Sequence, residues 1–500
     1  MLSAVLWVLF LVCFPFAASQ QIWDLWQTTW DRSKLFTSLK PSSPINFVQP
    51  GPAGEADIVV DERSQYQTML GFGASLTDSS AHVLGNLKTR YPSNYWSVLN
   101  TAFNPSPSSD GAGLSYIRIP VGASDFSAGA YSLNDNAGDE FMIRFDMNRV
   151  PPYTFAVLRD MMGINSLLKF HLNPWSPPAW MKTNMTMNGG SLQERYIPAY
   201  ARYLLKAVQG FRTRGVPVYA ISTTFQNEPQ NSNPTYPTCL MSPDLEARIV
   251  LNLRDLLDSN GLGNVKIVGF EHNWDHATSY PVNLVDESGG ALSGIAFHCY
   301  AGSVKNQELF HSTRPNRDIY FTECSGTYGS DWWSDIKWYM DNLWVGSVER
   351  FARTGLMWNL ALDGSGNPKY PGTDSCGGPG CRPLVTVNND GSYTFNQEFY
   401  AMAQASKAIL PQDAGGPFGQ RIGTTVKGGK GWALRVSGFV TGRTSQNDWF
   451  RYSLVVLNWN DGGSNGWSPS PVKTTINFRG MQATYTFPVG VTTLWWYAPG

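Results

Sequence analysis

The chain of 500 residues carries little charge and no surplus of either sign. Lysine and arginine together number 37, aspartate and glutamate number 38, and only 15% of the residues are charged. Without a surplus of positive charge, the protein has no long-range field that would attract a polyanion. We therefore expect neither nucleic acid nor an anionic membrane surface among its partners.

The two stretches that most resemble metal-binding and phosphate-binding motifs lack the defining residues of those motifs. The stretch HNWDH at 272–276 has two histidines but neither an HExxH pattern nor a further ligand, so we expect no metal. The stretch GFGAS at 71–75 lacks the GxGxxG and GK[ST] patterns of phosphate-binding loops. We expect no cofactor.

Long apolar runs are absent except at the N-terminus. That run extends from Ala4 to Phe16 and is followed by the small residues AAS at 17–19. It is too short to span a membrane and is broken by a proline, although no lysine or arginine precedes it. We predict a secretory signal peptide at 1–19, a secreted protein without stable membrane insertion, and an N-glycosylation sequon at Asn184.

Cysteine is scarce, with six residues in the chain. Five remain once the predicted signal peptide is removed: Cys239, Cys299, Cys324, Cys376 and Cys381. Cys376 and Cys381 close a short CGGPGC loop that an oxidising compartment would bridge, so we predict a disulfide there. The other three cannot all pair with one another, so at least one thiol stays free.

Eight apolar, β-branched runs alternate with amphipathic helical stretches. They cover 68–78, 114–122, 164–176, 217–229, 264–274, 293–302, 318–326 and 354–363. Near-continuous apolar strands that alternate with helices indicate a parallel sheet, and eight such units predict a (β/α)8 TIM barrel, an α/β fold. One intervening helix is well marked, because Ser242 and Pro243 provide an N-cap and a first-turn proline.

Three parts of the mature chain differ in pattern. The barrel is predicted over 67–395, and short alternating strands with Gly, Asn and Ser turns predict an all-β sandwich over 396–500. Residues 20–66 have no helical periodicity, and we expect this segment to join the sandwich. The chain has no low-complexity linker, which favours two closely packed domains.

Polar and aromatic residues end most of the predicted barrel strands. The C-terminal mouth of such a barrel carries the chemistry, so these residues are the candidates for an active site. They are Arg118, Asp125, His171, Asn173, Trp175, Asn227, Glu228, Glu271, His272, His298, Tyr300, Glu323, Trp358 and Asn359. A pair of well-placed glutamates among them, surrounded by aromatic side chains, fits the cleavage of a glycosidic bond.

The motifs GFGASLTDSSA, SYIRIPVGASDFS, NPWSPPAWMKTN, TTFQNEPQ, AFHCYAG, TEC and MWNLALD occur in this order. Together they resemble glycoside hydrolase family 30, which includes glucosylceramidases and fungal endo-β-1,6-glucanases. The resemblance implies a TIM barrel with an appended β-sandwich and cleavage by double displacement with retention. It places the acid/base on Glu228 and the nucleophile on Glu323. It also implies a sugar subsite lined by Arg118, Asp125, Trp175, Asn227, His298, Tyr300 and Trp358.

Structural roles compete with several of these assignments. A lone glutamate such as Glu228 is ordinarily a solvated loop residue, and each aromatic side chain could serve core packing. Arg118 could form an internal ion pair with a strand-end carboxylate, for which Asp125 is a candidate. In the functional interpretation, Arg118 and Tyr300 donate hydrogen bonds to Glu323, and Glu271 lies at the rim or behind the catalytic pair.

The substrate is predicted from the loop after the eighth strand. Its sequence, DGSGNPKYPGTDSCGGPGCRPLVTV, looks like that of the fungal β-1,6-glucanase branch. We therefore expect an endo-β-1,6-glucanase that acts on cell-wall β-glucan. The alternatives are glucosylceramidase, xylanase, β-1,6-galactanase, and a non-catalytic glucan-binding lectin, although the lectin hypothesis would require one glutamate to be missing. The sequence does not indicate an oligomeric state.

Overall fold

The computed structural model of the protein describes residues 20–224, 235–445 and 447–500. The predicted signal peptide at 1–19 lies outside these ranges, and so do Asn227 and Glu228. The strands, in chain order, are β1 (Gln21–Thr29), β2 (Thr37–Leu39), β3 (Ile45–Asn46), β4 (Ala56–Thr68), β5 (Gly71–Ser75), β6 (Tyr116–Val121), β7 (Lys169–Pro174), β8 (Val218–Ser222), β9 (Lys266–Asn273), β10 (Gly294–His298), β11 (Asp318–Glu323), β12 (Gly326–Thr327), β13 (Ala352–Asn359), β14 (Ala361–Leu362), β15 (Cys381–Arg382), β16 (Val385–Val387), β17 (Tyr393–Phe395), β18 (Gln420–Lys427), β19 (Leu434–Thr441), β20 (Phe450–Asn458), β21 (Val472–Phe478), β22 (Met481–Phe487) and β23 (Gly490–Ala498).

Eight parallel strands close into a barrel, in the order β10-β11-β13-β5-β6-β7-β8-β9. Seven of the eight lie within the apolar runs, and β13 begins two residues before the eighth run, so the predicted (β/α)8 barrel is confirmed. All residues of β5 and β6 are buried, as expected for strands that are covered on one face by helices and on the other by the barrel interior.

The α-helices follow the barrel strands. They are α1 (Asp78–Arg90), α2 (Pro92–Phe103), α3 (Pro152–Ile164), α4 (Ile197–Thr213), α5 (Pro243–Ser259), α6 (Tyr280–Ser288), α7 (Asn306–Thr313), α8 (Trp332–Tyr339), α9 (Gly346–Glu349) and α10 (Gln397–Ile409). The start of α5 is as predicted, because the Ser242 hydroxyl accepts a hydrogen bond from the Leu245 amide and Pro243 occupies the first turn. Within the described ranges, no helix is both long and apolar enough to cross a membrane.

A second sheet of ten strands forms the β-sandwich. It combines β1 to β4 with β18 to β23, so strands from both ends of the chain contribute to it. Val48, just after β3, pairs with Gln482 in β22, which brings two distant parts of the sheet together around an apolar core. Phe47 and Trp496 lie in that core with their ring centroids 5.1 Å apart.

Helix α10 lies between the barrel and the sandwich. The all-β sandwich is predicted to begin at residue 396, whereas the structure has α10 there and the next sandwich strand begins at Gln420. The residues of α10 are almost all buried, because the helix packs against strands of the barrel and of the sandwich. Its polar residues, such as Glu398 and Lys407, are buried too, so α10 has no solvent-facing side of the kind that marks an amphipathic helix.

Candidate active site

The inward-facing residues of the barrel form two layers. The lower layer is an apolar cluster of Leu70, Tyr116, Ala220, Val268, Ala296, Tyr320 and Leu356. Side chains two residues apart on a strand point to the same face, so the next inward layer lies two positions further along. That layer is polar or aromatic and fully buried, and it consists of Arg118, Ser222, His298, Thr322 and Trp358.

Strand β9 departs from this alternation at a β-bulge. Two residues after Val268, Phe270 packs outward against Tyr280 of α6, with ring centroids 5.4 Å apart, and Glu271 occupies the interior instead. Both Phe270 (φ 75°) and Glu271 (φ 43°) have left-handed backbone conformations that are strained for residues other than glycine. Bulges beside active sites commonly redirect one side chain, and this one directs Glu271 into the barrel.

Glu323 lies at the end of β11, also beside a register shift. Its Oε2 accepts a hydrogen bond from Arg118 Nη1 at 2.5 Å, and its Oε1 accepts one from the Tyr300 hydroxyl at 2.9 Å. Burial of the hydroxyl, together with the neighbouring Glu323 carboxylate, raises the pKa of Tyr300 well above its ordinary value. Tyr300 therefore remains a proton donor, and Arg118 and Tyr300 both donate hydrogen bonds to the Glu323 carboxylate.

Glu271 lies behind Glu323 and is fully buried. Arg118 Nη2 bonds to its Oε2 at 3.0 Å, so one guanidinium joins both carboxylates. The hydroxyls of Ser222 and Thr322 and the imidazole of His298 also bond to it. Burial alone would raise the pKa of Glu271, but Arg118 and His298 hold that pKa well below its ordinary value. Glu271 is thus a fixed negative charge that anchors Arg118.

Two tryptophans pack beside Arg118. Trp175 and Trp358 stack with ring centroids 5.0 Å apart and an interplanar angle of 22°. The Arg118 guanidinium carbon lies 5.0 Å from the Trp175 centroid and 5.6 Å from that of Trp358. A guanidinium and an indole ring attract each other at these distances, so the two tryptophans help to hold Arg118 in place.

A cavity of about 270 Å³ opens above this cluster. Its walls include Glu323, Tyr300, Asp125 and Trp358 from the barrel. The loop after β13 supplies the opposite wall, with Thr373, Asp374, Ser375 and the disulfide of Cys376 and Cys381. Asp125 accepts a hydrogen bond from Ser375 at 2.7 Å, which fastens the loop to the barrel.

A concave site with a carboxyl group held by hydrogen bonds, an aromatic wall and hydroxyl groups suits an uncharged polyhydroxyl substrate. Residues 69–409 match the model of the glycosyl hydrolase family 30 TIM-barrel domain. This match covers more than half of the chain. The chain belongs to glycosyl hydrolase family 30. The predicted resemblance is therefore confirmed, and the protein is a glycosidase.

Relatives within family 30 agree over most of the chain. An endo-1,6-β-D-glucanase of Trichoderma harzianum is 32% identical over 430 residues, which cover 82% of this chain and 81% of that protein. A protein of Caenorhabditis elegans that bears the name glucosylceramidase 2 is 28% identical and covers 72% of this chain and 71% of its own length. A solved structure of an endo-β1,6-glucanase has 26% identity and a TM-score of 0.80, with 95% of this chain and 99% of that chain covered.

The structure brings together most of the residues that the sequence singled out. Arg118, Asp125, Tyr300, Glu323 and Trp358 surround one cavity or touch a residue that does. Two of the predicted sugar-contacting residues lie deeper: His298 bonds to Glu271, and Trp175 is fully buried against Trp358. Arg118 does form the internal ion pairs weighed above, but with Glu271 and Glu323, whereas the side chain of Asp125 bonds to Ser375.

The two disulfides lie at the site. Cys376 and Cys381 are bonded, as predicted. Cys299 and Cys324 form a second bridge, and Cys239 is a buried free thiol. Cys299 sits between His298 and Tyr300, and Cys324 follows Glu323, so this bridge ties the ends of β10 and β11 together. The bridge closes a 25-residue separation, for which the loss of chain entropy in the unfolded state is worth about 3.5 kcal/mol.

Glu246 of α5 fixes two other strand ends. Its buried carboxylate accepts hydrogen bonds from the hydroxyls of Thr223 and Thr224, and also from the Phe270 amide and the Tyr280 hydroxyl. Thr223 and Thr224 follow β8, and Phe270 belongs to the bulge that carries Glu271. Burial raises the pKa of Glu246 above its ordinary value. The sequence analysis did not identify this residue, because a single glutamate on an amphipathic helix gives no signal that it points inward.

Asp125 allows a test of the electrostatics of the cavity. Burial, aided by the nearby Glu323 carboxylate, raises the pKa of Asp125 from 3.8 to about 7. Between these two values the unfolded chain has lost this proton and the folded chain retains it, so this group's contribution to stability falls as pH rises. Asp125→Asn cannot ionise, and we expect its melting temperature relative to wild type to rise by a few degrees between about pH 4.5 and 7.5. Parallel melting curves across that range, with a constant difference, would contradict the assignment.

Proposed function

We propose that this family 30 enzyme is a secreted endo-β-1,6-glucanase that cleaves cell-wall β-1,6-glucan with retention of anomeric configuration. The observation that carries the proposal is the Glu323 carboxylate, held by Arg118 and Tyr300 on the wall of the mouth cavity. Relatives named as endo-1,6-β-glucanases support the choice of glycosidic bond.

In this proposal the reaction proceeds by double displacement. Glu323 attacks the anomeric carbon, while Glu228 protonates the departing glycosidic oxygen. Water then releases the sugar from Glu323, and Glu228 accepts the proton of that water. Asn227 holds the 2-hydroxyl of the sugar. Retention requires the two carboxyl groups to lie about 5 to 5.5 Å apart.

The bonds around Glu323 suit both halves of this cycle. Arg118 and Tyr300 bond to different oxygens of the carboxylate, so they fix its plane. When a covalent bond forms to the sugar, the carboxylate loses its charge, and Glu271 still balances Arg118. Glu271 therefore allows the nucleophile to change charge without leaving a buried guanidinium unpaired, which would be costly.

Secretion is part of the proposal. Two disulfides form within the chain, and structural disulfides persist in oxidising compartments. The predicted signal peptide at 1–19 and the exposed sequon residue Asn184 agree with that route.

A panel of polymers tests the choice of substrate. We expect hydrolysis of β-1,6-glucan, with oligosaccharides among the first products, and much slower hydrolysis of β-1,3-glucan, glucuronoxylan, β-1,6-galactan and glucosylceramide. Proton NMR during the first minutes should show the β-anomer before mutarotation. Cleavage of glucosylceramide without cleavage of β-1,6-glucan would refute the proposed substrate. A first-formed α-anomer would refute the proposed retention of configuration.

A further inference from the structure

A second groove lies between the barrel and the sandwich. We call it the tryptophan groove and define it by Trp30, Arg32, Trp332, Lys337, Asp461 and Trp467. Its volume is about 790 Å³, within the range of ligand-binding sites. Among the described residues, none lines both this groove and the cavity at Glu323.

The groove is held in a defined shape by contacts across the two domains. Asp461, in the loop between β20 and β21, accepts a hydrogen bond from Trp333 Nε1 at 2.9 Å and pairs with Lys337 at 2.6 Å. Both partners belong to α8 of the barrel. These contacts fix the loop that carries Trp467, so its ring is preorganised, which lowers the entropy cost of binding.

Aromatic surface is exposed in this groove. Trp467 is 55% exposed, and its ring meets that of Trp30 edge to face with centroids 4.8 Å apart. Opposite them, the Arg32 guanidinium lies 4.8 Å from the centroid of Trp332. A contiguous exposed apolar surface that is rimmed by polar groups is typical of an interaction site.

The chemistry of the lining favours an uncharged sugar chain. Arg32 and Lys337 are balanced by Asp331 and Asp461, so the groove has no excess charge with which to select an anion or a cation. Flat indole rings match the apolar faces of pyranose rings, and the charged groups can bond to hydroxyls at the ring edges.

The groove opens on the catalytic end of the barrel. Helices that follow barrel strands begin at the end where the active site lies, and α8 begins at Trp332. Asp331, the residue before α8, follows Glu323 by eight residues, which span at most about 28 Å when fully extended. A polysaccharide of modest length can therefore contact both sites at once.

We propose that the tryptophan groove is a non-catalytic binding site for the β-glucan chain that the enzyme cleaves. The inference rests on the proposed function for the identity of the glucan. Two linked sites on one polymer raise its effective concentration at the active site. The groove should therefore increase activity on polymers and leave activity on short oligosaccharides unchanged.

The test uses Trp467→Ala and Trp30→Ala, singly and together, with Trp432→Ala as the control. Trp432 is 64% exposed and lies outside the groove. Binding is measured in a Glu323→Gln background by affinity electrophoresis through gels containing soluble β-1,6-glucan. We expect each groove variant to bind the glucan in the gel about 3- to 10-fold more weakly than the parent, and Trp432→Ala to match the parent. In the catalytically competent enzyme, kcat/KM on polymer should fall similarly, while kcat/KM on a short β-1,6-oligosaccharide stays constant.

The outcomes distinguish this inference from the proposed function. If the double variant matched the parent both in its retardation by the glucan gel and in its polymer kinetics, the proposed binding site would be refuted. If the panel identifies a different polymer as the substrate, the same gels are cast with that polymer, and a loss of retention still supports the groove. A loss on short and long substrates alike would also overturn it, because the variants would then act through the catalytic cavity. Trp467→Phe, which keeps a smaller ring, should recover part of the retention.

Discussion

Replacing Glu323 with glutamine is expected to lower kcat on β-1,6-glucan by roughly 10⁴-fold or more, the scale on which hydrolases lose rate when the nucleophile is removed. The amide keeps the shape of the side chain and its place beside Arg118 and Tyr300 but cannot attack the anomeric carbon. KM should change much less, because the walls of the cavity are unaltered. Steady-state kinetics with reducing-sugar detection give both values.

Two controls separate lost chemistry from lost structure. Glu140→Gln makes the same change at an exposed position and should leave kcat at the wild-type level. Glu323→Ala leaves space beside Arg118, so added azide should restore part of the rate and yield an α-glycosyl azide, because only one inversion then occurs. Unchanged kcat in Glu323→Gln, or an azide product with the β configuration, would contradict the nucleophile assignment.

The barrel could be predicted because most residues of its strands are buried on both faces and because helices separate the successive runs. Residues such as those of β6 lie between helices and barrel interior, so their sequence contains no alternation to confuse with a solvent-facing strand. Helix α10 could not be predicted at the start of the C-terminal domain, because it is buried against both domains and has almost no solvent-exposed face. The amphipathic period of a helix arises because one side faces water, and almost no residue of α10 does.

The site was predicted only in part, for a similar reason. Strand-end position picked out Arg118, Tyr300 and Glu323, because the barrel brings strand ends together whatever the details of packing. It could not separate residues that line the cavity from those that bond to Glu271 behind it, such as His298. That distinction depends on the bulge at Phe270 and Glu271. Positive φ angles are usually signalled in a sequence by glycine, and neither of these residues is glycine. The bridge of Cys299 to Cys324 likewise depends on the adjacency of β10 and β11, which are 25 residues apart at these positions.

Replacing Glu228 with glutamine is expected to lower kcat/KM on β-1,6-glucan by about 10²- to 10⁴-fold, the usual contribution of general acid–base catalysis. A sugar alkoxide leaves poorly unless it is protonated. A 2,4-dinitrophenolate needs no proton, so a dinitrophenyl β-glycoside of a short β-1,6-gluco-oligosaccharide should lose less than about 10-fold in kcat/KM. The comparison of the two substrates measures protonation alone, because attack by Glu323 is common to both.

The dependence on pH and on azide provides independent checks of the same assignment. The basic limb of kcat/KM on glucan reports the loss of the proton from the general acid, so it should disappear in Glu228→Gln. Azide needs no general base, and with Glu323 intact it should release the glycosyl-enzyme as a β-glycosyl azide, the opposite anomer from that expected for Glu323→Ala. Equal losses on the glucan and the dinitrophenyl substrate would contradict the acid role. In that case Glu228 would not be the acid, which would have to be sought among the carboxyls that line the cavity, of which Asp125, with its pKa raised to about 7, is the first to examine.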